Sequence, residues 1–118
     1  MTTISKPVKQ ISNTVGFGDT AGKILFSLPP GSTPLRWMVN VTTVFNSDGT
    51  DYLDIGKVGS TEYYAKDVDV SVLGNTAVVS LNSDVTTTVV GILATYTNGG
   101  SAATTGLATV TLEYADAF

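Results

Sequence analysis

The chain has 118 residues, of which 42% are hydrophobic and 14% are charged, and its formal net charge at neutral pH is −4. This length fits one domain, and the hydrophobic fraction suffices for one core without a metal or a disulfide bond. The acidic balance argues against nucleic acid as a partner, because binding a phosphate backbone requires clustered Lys and Arg. No segment approaches the roughly 20 apolar residues of a membrane span, so no membrane partner is expected either.

The chain begins with MTTISKPVKQISNT, which lacks the apolar run of a signal peptide. Pro7 removes one backbone donor. The apolar residues here are too widely spaced for a continuous strand: Ile4, Val8, Ile11 and Val15. We therefore predict an arm over residues 1–15 and a single domain over residues 16–118. One hypothesis is that the arm orders by adding a strand to the sheet of a partner. The alternative is a frayed terminus or an edge strand of the domain itself.

Seven segments after this stretch alternate apolar and polar residues with the period of two that is typical of strands with one buried face. Their apolar positions are Ile24/Phe26/Leu28, Leu35/Trp37/Val39/Val41/Phe45, Leu53/Ile55, Val68/Val70/Val72, Ala77/Val79/Leu81, Val90/Ile92/Ala94/Tyr96 and Ala108/Val110/Leu112/Tyr114. Turn-forming Gly, Pro, Asn and Asp residues separate the segments. Because two amphipathic sheets bury their apolar faces against each other, the pattern predicts an all-β fold, an antiparallel β-sandwich or jelly roll.

Three further predictions concern single segments of the chain. Residues 86–97 and 105–114 are rich in β-branched residues and joined by a Gly/Ser/Ala loop, so we expect them to form a final hairpin. Residues 60–66 are expected to form a loop, with a single helical turn as the alternative. The pair Tyr63 and Tyr64 in this loop is the candidate set of exposed aromatic contacts, for a protein partner or for a glycan.

The chain contains no His and no Cys, which removes the usual catalytic groups. Ser-His-Asp and Cys-His arrangements are therefore excluded, and a zinc site is close to excluded. We accordingly predict no catalytic residue, no metal and no cofactor, and a protein that is not an enzyme. Asp67 and Asp69 would lie about 6–7 Å apart on one face of a strand, within the range of a glycosidase pair. The alternating valines around them favour a solvated strand face instead.

Oxygen ligands for calcium occur within nine residues, at Asn46, Asp48, Asp51 and Asp54. Their spacing does not follow the EF-hand pattern, in which Gly stands sixth and Glu stands twelfth. A turn at Asp48-Gly49 is the simpler interpretation.

The middle of the chain, LRWMVNVTTVFNSDGTDYLDIGKVGSTEYYAKDVDVSVLGNT, resembles small virion proteins of tailed bacteriophages. The shared features are structural and include no catalytic signature. They are a strand ending in Phe45, a Gly/Asp/Thr loop at 48–50, a Leu-Asp-Ile-Gly strand at 53–56, Tyr64-Ala65, a Val-Asp-Val-Ser strand at 68–71 and a turn at Gly74.

The resemblance implies a capsid-decoration protein that binds the outside of the phage head and stabilises the shell, with a jelly-roll fold and working as a homotrimer. Its partner would be the major capsid protein, and its location the capsid surface of the virion, after synthesis in the bacterial host cytoplasm. The arm would then grip the capsid through these residues: Ile4, Lys6, Pro7, Val8, Lys9 and Ile11. The alternative function is a head-fibre or tail-fibre module that binds host glycan through exposed aromatic residues.

Overall fold

The computed structural model describes residues 8–116, and all regular secondary structure in this range is β-strand. The described range contains no helix that is long and apolar enough to cross a membrane. The strands are β1 (Val8–Gly16), β2 (Lys23–Leu28), β3 (Thr33–Thr43), β4 (Tyr52–Lys57), β5 (Ser60–Asp69), β6 (Gly74–Val79), β7 (Val90–Thr97) and β8 (Leu107–Ala115). Strands β2 to β8 correspond in number to the seven predicted segments.

The strands form two four-stranded sheets. Sheet A has the order β1-β8-β3-β6 and sheet B has the order β2-β7-β4-β5. Every pair of neighbours is antiparallel, and only β4 and β5 are both paired and consecutive in sequence. This confirms the predicted antiparallel β-sandwich, and the strand order is compatible with a jelly roll.

The core lies between the sheets and contains the residues that strand alternation assigns to it. Trp37 and Val39 of β3, Ile92 of β7 and Val110 of β8 are fully buried, and Val41 is nearly so. These side chains come from both sheets, which confirms that the apolar faces of the strands pack against each other. The inward face was therefore predicted correctly for β3, β7 and β8.

Two strands differ from the predicted alternation. In β2 the pairing with β7 shifts between Ile24 and Phe26, and this bulge turns Leu25 into the core while Ile24 is exposed. In β6 the predicted inward residue Val79 is exposed, and Val78 packs against the core. A one-residue error in register moves every side chain to the opposite face, so the prediction for β6 was inverted.

The predicted final hairpin is wrong, because its two strands lie in different sheets. Strand β7 pairs with β2 and β4, whereas β8 pairs with β1 and β3. Alternation shows which face of a strand is buried but does not identify its neighbour, and the loop between β7 and β8 crosses from one sheet to the other. Residues 60–66, predicted as a loop, belong to edge strand β5, whose exposed polar residues weaken the strand pattern.

The N-terminal strand β1 is an edge strand of sheet A and pairs with β8 from Val8 to Gly16. The spacing of apolar residues did not reveal this strand, because Asn13 occupies the inward-facing position between Ile11 and Val15. The Asn13 side chain is satisfied there by donating a hydrogen bond to the Leu25 carbonyl at 2.7 Å. The predicted boundary between an arm and the domain stays a prediction for residues 1–7, which lie outside the described residues.

Candidate functional site

Strand β1 carries three of the six predicted capsid-binding residues. Ile4, Lys6 and Pro7 lie outside the described residues. Val8 is exposed at the start of the strand, whereas Ile11 packs against the core of its own domain. The side chain of Ile11 therefore already has a place in the domain, whereas Val8, Lys9 and Gln10 at the start of β1 are exposed.

Lys9 is the charged residue of strand β1. Its ammonium lies 2.6 Å from the Asp116 carboxylate, just beyond the end of β8. The hydrogen bond and charge of Asp116 raise the pKa of Lys9. A carboxylate of a partner would therefore compete with an internal ion pair for this ammonium.

The predicted exposed aromatic pair is wrong for Tyr64. Tyr64 is buried against Trp37, with ring centroids 5.6 Å apart, because it points inward from β5. Its neighbour Tyr63 is half-buried and meets the Tyr64 ring edge-on. The loop expected to display both rings is a strand, and consecutive side chains of a strand point to opposite faces.

Tyr63 borders a cleft of about 230 Å³ that is also lined by Lys57, Asp84 and Thr86. The Lys57 ammonium lies 3.9 Å from the centre of the Tyr63 ring, and the Tyr63 hydroxyl donates a hydrogen bond to Asp84. This hydrogen bond is the main cause of a raised pKa of Tyr63. Because one ring face is covered by a cation, Tyr63 offers a smaller stacking surface to a sugar than an exposed tyrosine does.

Two of the residues considered as calcium ligands, Asn46 and Asp51, instead hold the loop between β3 and β4 in place. The Asp51 carboxylate is buried, accepts a hydrogen bond from the Ser47 backbone at 3.3 Å and receives another from the Tyr96 hydroxyl. Burial and the contact with Asp51 raise the pKa of Tyr96 to about 12. Asn46 bonds the backbone N–H groups of Thr104 and Thr105 in the loop between β7 and β8.

A carboxylate cluster that the sequence pattern did not indicate lies on the β4–β5 hairpin. Asp54, Glu62 and Asp67 each place one oxygen within 4.8 Å of the others. Asp54 is buried and accepts the Asp67 backbone N–H at 2.8 Å, and Lys66 pairs with Glu62 at 3.6 Å. Burial raises the pKa of Asp54, and the two neighbouring carboxylates add to the effect.

The bulged register of β5 brings these acids together, which explains why regular strand spacing did not reveal them. Asp67 has a positive φ of 53°, and the pairing of β4 with β5 shifts on either side of Ile55. The same irregularity removes the basis for an Asp67–Asp69 catalytic pair. Asp69 instead accepts hydrogen bonds from the Ser71 hydroxyl and backbone, which lower its pKa.

No protein-family model and no curated protein matches the chain. Solved structures that share its fold include a chain of the cyanophage Pam1 capsid asymmetric unit, with a TM-score of 0.75 and 17% identity over 99% of this chain and 90% of that chain. Another is a chain of the acid-stable capsid structure of Helicobacter pylori bacteriophage KHP30, with a TM-score of 0.73 and 15% identity over 95% of this chain and 90% of that chain. The chain therefore has the fold of chains found in two bacteriophage capsid structures.

Proposed function

We propose that this chain is a structural protein of a bacteriophage virion, a decoration protein that binds the outside of the head and stabilises the shell. The observation that carries the proposal is the extent of the fold match. The likeness covers nearly the whole of this chain and 90% of each capsid-structure chain, so it extends over the entire sandwich. Fold alone does not determine function, and the surface must therefore supply the rest of the argument.

The surface is suited to contact with other proteins. Eleven large hydrophobic side chains are exposed in the described residues, and they leave apolar surface available for contact with other proteins. The partner in this proposal is the major capsid protein, and the decoration protein acts as a homotrimer on the capsid surface after synthesis in the host cytoplasm. It acts by adding contacts between shell subunits, without catalysis.

Attachment is assigned to the N-terminal segment. In this proposal residues 1–7, together with Val8 and Lys9 at the start of β1, add a strand to the shell. The remainder of β1 stays in sheet A, where it pairs with β8. The fibre-module alternative depended on exposure of Tyr63 and Tyr64, and the burial of Tyr64 leaves it without a specific supporting observation.

The test combines undecorated heads of the encoding phage with the full chain or with a variant that lacks residues 2–7. The full chain should co-sediment with heads and raise the temperature at which they rupture. The deletion should abolish binding and leave the melting temperature of the free domain unchanged, because β1 is intact. A Thr20→Lys variant, altered at an exposed polar residue between β1 and β2, serves as a control that should still bind.

Two results would contradict the proposal in different ways. If the full chain does not bind heads, the decoration function is wrong. If the deletion variant occupies heads at the normal level, decoration stands and the assignment of attachment to residues 1–7 is wrong.

A further inference from the structure

The sandwich has four edge strands, β1 and β6 in sheet A and β2 and β5 in sheet B. An unprotected edge presents a row of unpaired backbone groups to which another strand can add, and proteins usually block such edges with charges, prolines or bulges. Strand β1 is blocked in this way. The Lys23 ammonium bonds the Thr14 carbonyl at 2.7 Å, and Lys9 forms an ion pair beside the other end of the strand.

The two edges of sheet B are also protected. Strand β2 contains a bulge after Ile24 and is followed by Pro29 and Pro30. Strand β5 carries Lys66 and the bulged Asp67, both exposed. Each of these three edges therefore has at least one feature that disfavours strand addition.

Strand β6 has none of these features. It pairs with β3 in unbroken register from Gly74 to Val79, and no strand of the described residues pairs along its other edge. Residues 70–83 contain neither a charged residue nor a proline. Exposed apolar side chains lie at both ends of the strand, with Leu73 just before it and Val79, 73% exposed, at its last position.

We propose that the open edge of β6 binds the same edge of a second copy of this chain, forming a continuous antiparallel sheet across a two-fold axis at Thr76. In such a contact each copy presents the same surface to the other. Leu73 and Val79 are each three residues from Thr76, so the axis places Leu73 of one copy across from Val79 of the other. The apolar groups at the two ends of the strand thus cover one another.

The absence of charge favours a second copy as the occupant. A two-fold contact sets the side chains of a strand against those of the same strand, so a charged residue near the axis would meet its own like charge. Like charges that are directly opposite across a sheet are destabilising. The β6 edge carries no charge and therefore avoids this repulsion. Elsewhere the net charge of −4 makes copies of the chain repel one another.

This contact is independent of the proposed decoration function. If the copies also form trimers through other surfaces, β6 contacts on two-fold axes perpendicular to the three-fold axis join two trimers, and otherwise the contact makes a dimer. In both cases removal of the contact halves the mass of the particle in solution.

Sedimentation velocity at high micromolar concentration tests the contact with the full chain. Val79→Lys places a charge at the edge and should halve the particle mass, whereas the matched variant Val58→Lys, at a side chain that is 80% exposed in the β4–β5 turn, should leave it unchanged. A monomeric wild-type chain, or a wild-type mass that Val79→Lys does not change, would overturn the proposal.

A second measurement does not depend on how Val79→Lys folds. The chain has no cysteine, so a single introduced thiol reports a single contact. Opposed residues of an antiparallel pair have Cβ atoms about 4.5–5.5 Å apart, so Thr76→Cys should form a disulfide-linked dimer under mild oxidation. Val58→Cys is the matched control, and equal rates of cross-linking for the two variants would overturn the two-fold register.

Discussion

Replacement of Trp37 by Ala tests the core most directly. The indole is fully buried, stacked on Phe26 with 6.4 Å between ring centroids and an angle of 9° between ring planes, and it also packs against Tyr64. Trp37→Ala leaves a cavity among rigid neighbours, and removal of a buried tryptophan typically costs about 3–5 kcal/mol of unfolding free energy. That loss is a large share of the roughly 5–15 kcal/mol that stabilises a typical domain.

Trp37→Phe separates packing from hydrogen bonding at the same position. The indole Nε1 is buried, and no acceptor among residues 8–116 is within hydrogen-bond distance of it. An unsatisfied buried donor costs about 1–3 kcal/mol, and the smaller ring of Phe gives up about 0.8 kcal/mol for each CH₂-sized group that is no longer buried. The two effects oppose each other, so the free energy of unfolding of Trp37→Phe should be within about 1 kcal/mol of the wild-type value.

Urea unfolding followed by far-UV circular dichroism measures both variants, because replacing the single tryptophan removes the usual fluorescence probe. The exposed-site variant Val58→Ala should stay within about 0.5 kcal/mol of wild type. The reasoning fails if Trp37→Phe is as destabilising as Trp37→Ala, since the unpaired N–H would then carry no measurable cost. It also fails if Trp37→Ala costs less than about 1 kcal/mol, because a buried site would lose more.

Three further predictions concern the backbone, a buried hydrogen bond and pH. Gly56→Ala should cost close to 3 kcal/mol, the upper end of the usual overpacking range, because its Cβ would overlap the backbone of β5, whereas Gly18→Ala, with open space around it, should be neutral in thermal denaturation. Tyr96→Phe should lower the free energy of unfolding by about 1–3 kcal/mol, as the buried Asp51 carboxylate loses a donor; an unchanged melting temperature would refute this. The raised pKa of Asp54 means that the folded protein holds this proton more tightly than the unfolded chain, so stability falls as pH rises through the folded pKa. Asp54→Asn should therefore raise the free energy of unfolding at neutral pH but not in acid. An equal increase at neutral and acidic pH would contradict the raised pKa of Asp54.

The fold class was predictable from the sequence because each inward strand face has a simple period. Trp37, Val39 and Val110 occupy alternate positions on strands whose opposite faces are largely polar, and all three are buried. The prediction failed where a polar residue occupies an inward position or where a bulge interrupts the strand. Asn13 takes an inward site of β1 by bonding to the neighbouring strand, and the bulge beside Ile24 changes the period within β2.

The sites were less predictable than the fold, since they depend on which strands are neighbours. Tyr64 points inward because residues 60–69 form a strand, a fact that its polar flanks concealed. The cluster of Asp54, Glu62 and Asp67 requires both the β4–β5 pairing and its bulges. Alternation along one strand contains no information about either feature.

The pairing of the first and last strands has a consequence for the synthesis of the protein. Strand β8 lies between β1 and β3 in sheet A, so β1 has no partner in that sheet, and β3 has only β6, until β8 emerges from the ribosome. Long-range pairing of this kind slows folding and leaves strand edges exposed to other chains. The nascent chain is therefore most vulnerable to aggregation before β8 is available for pairing.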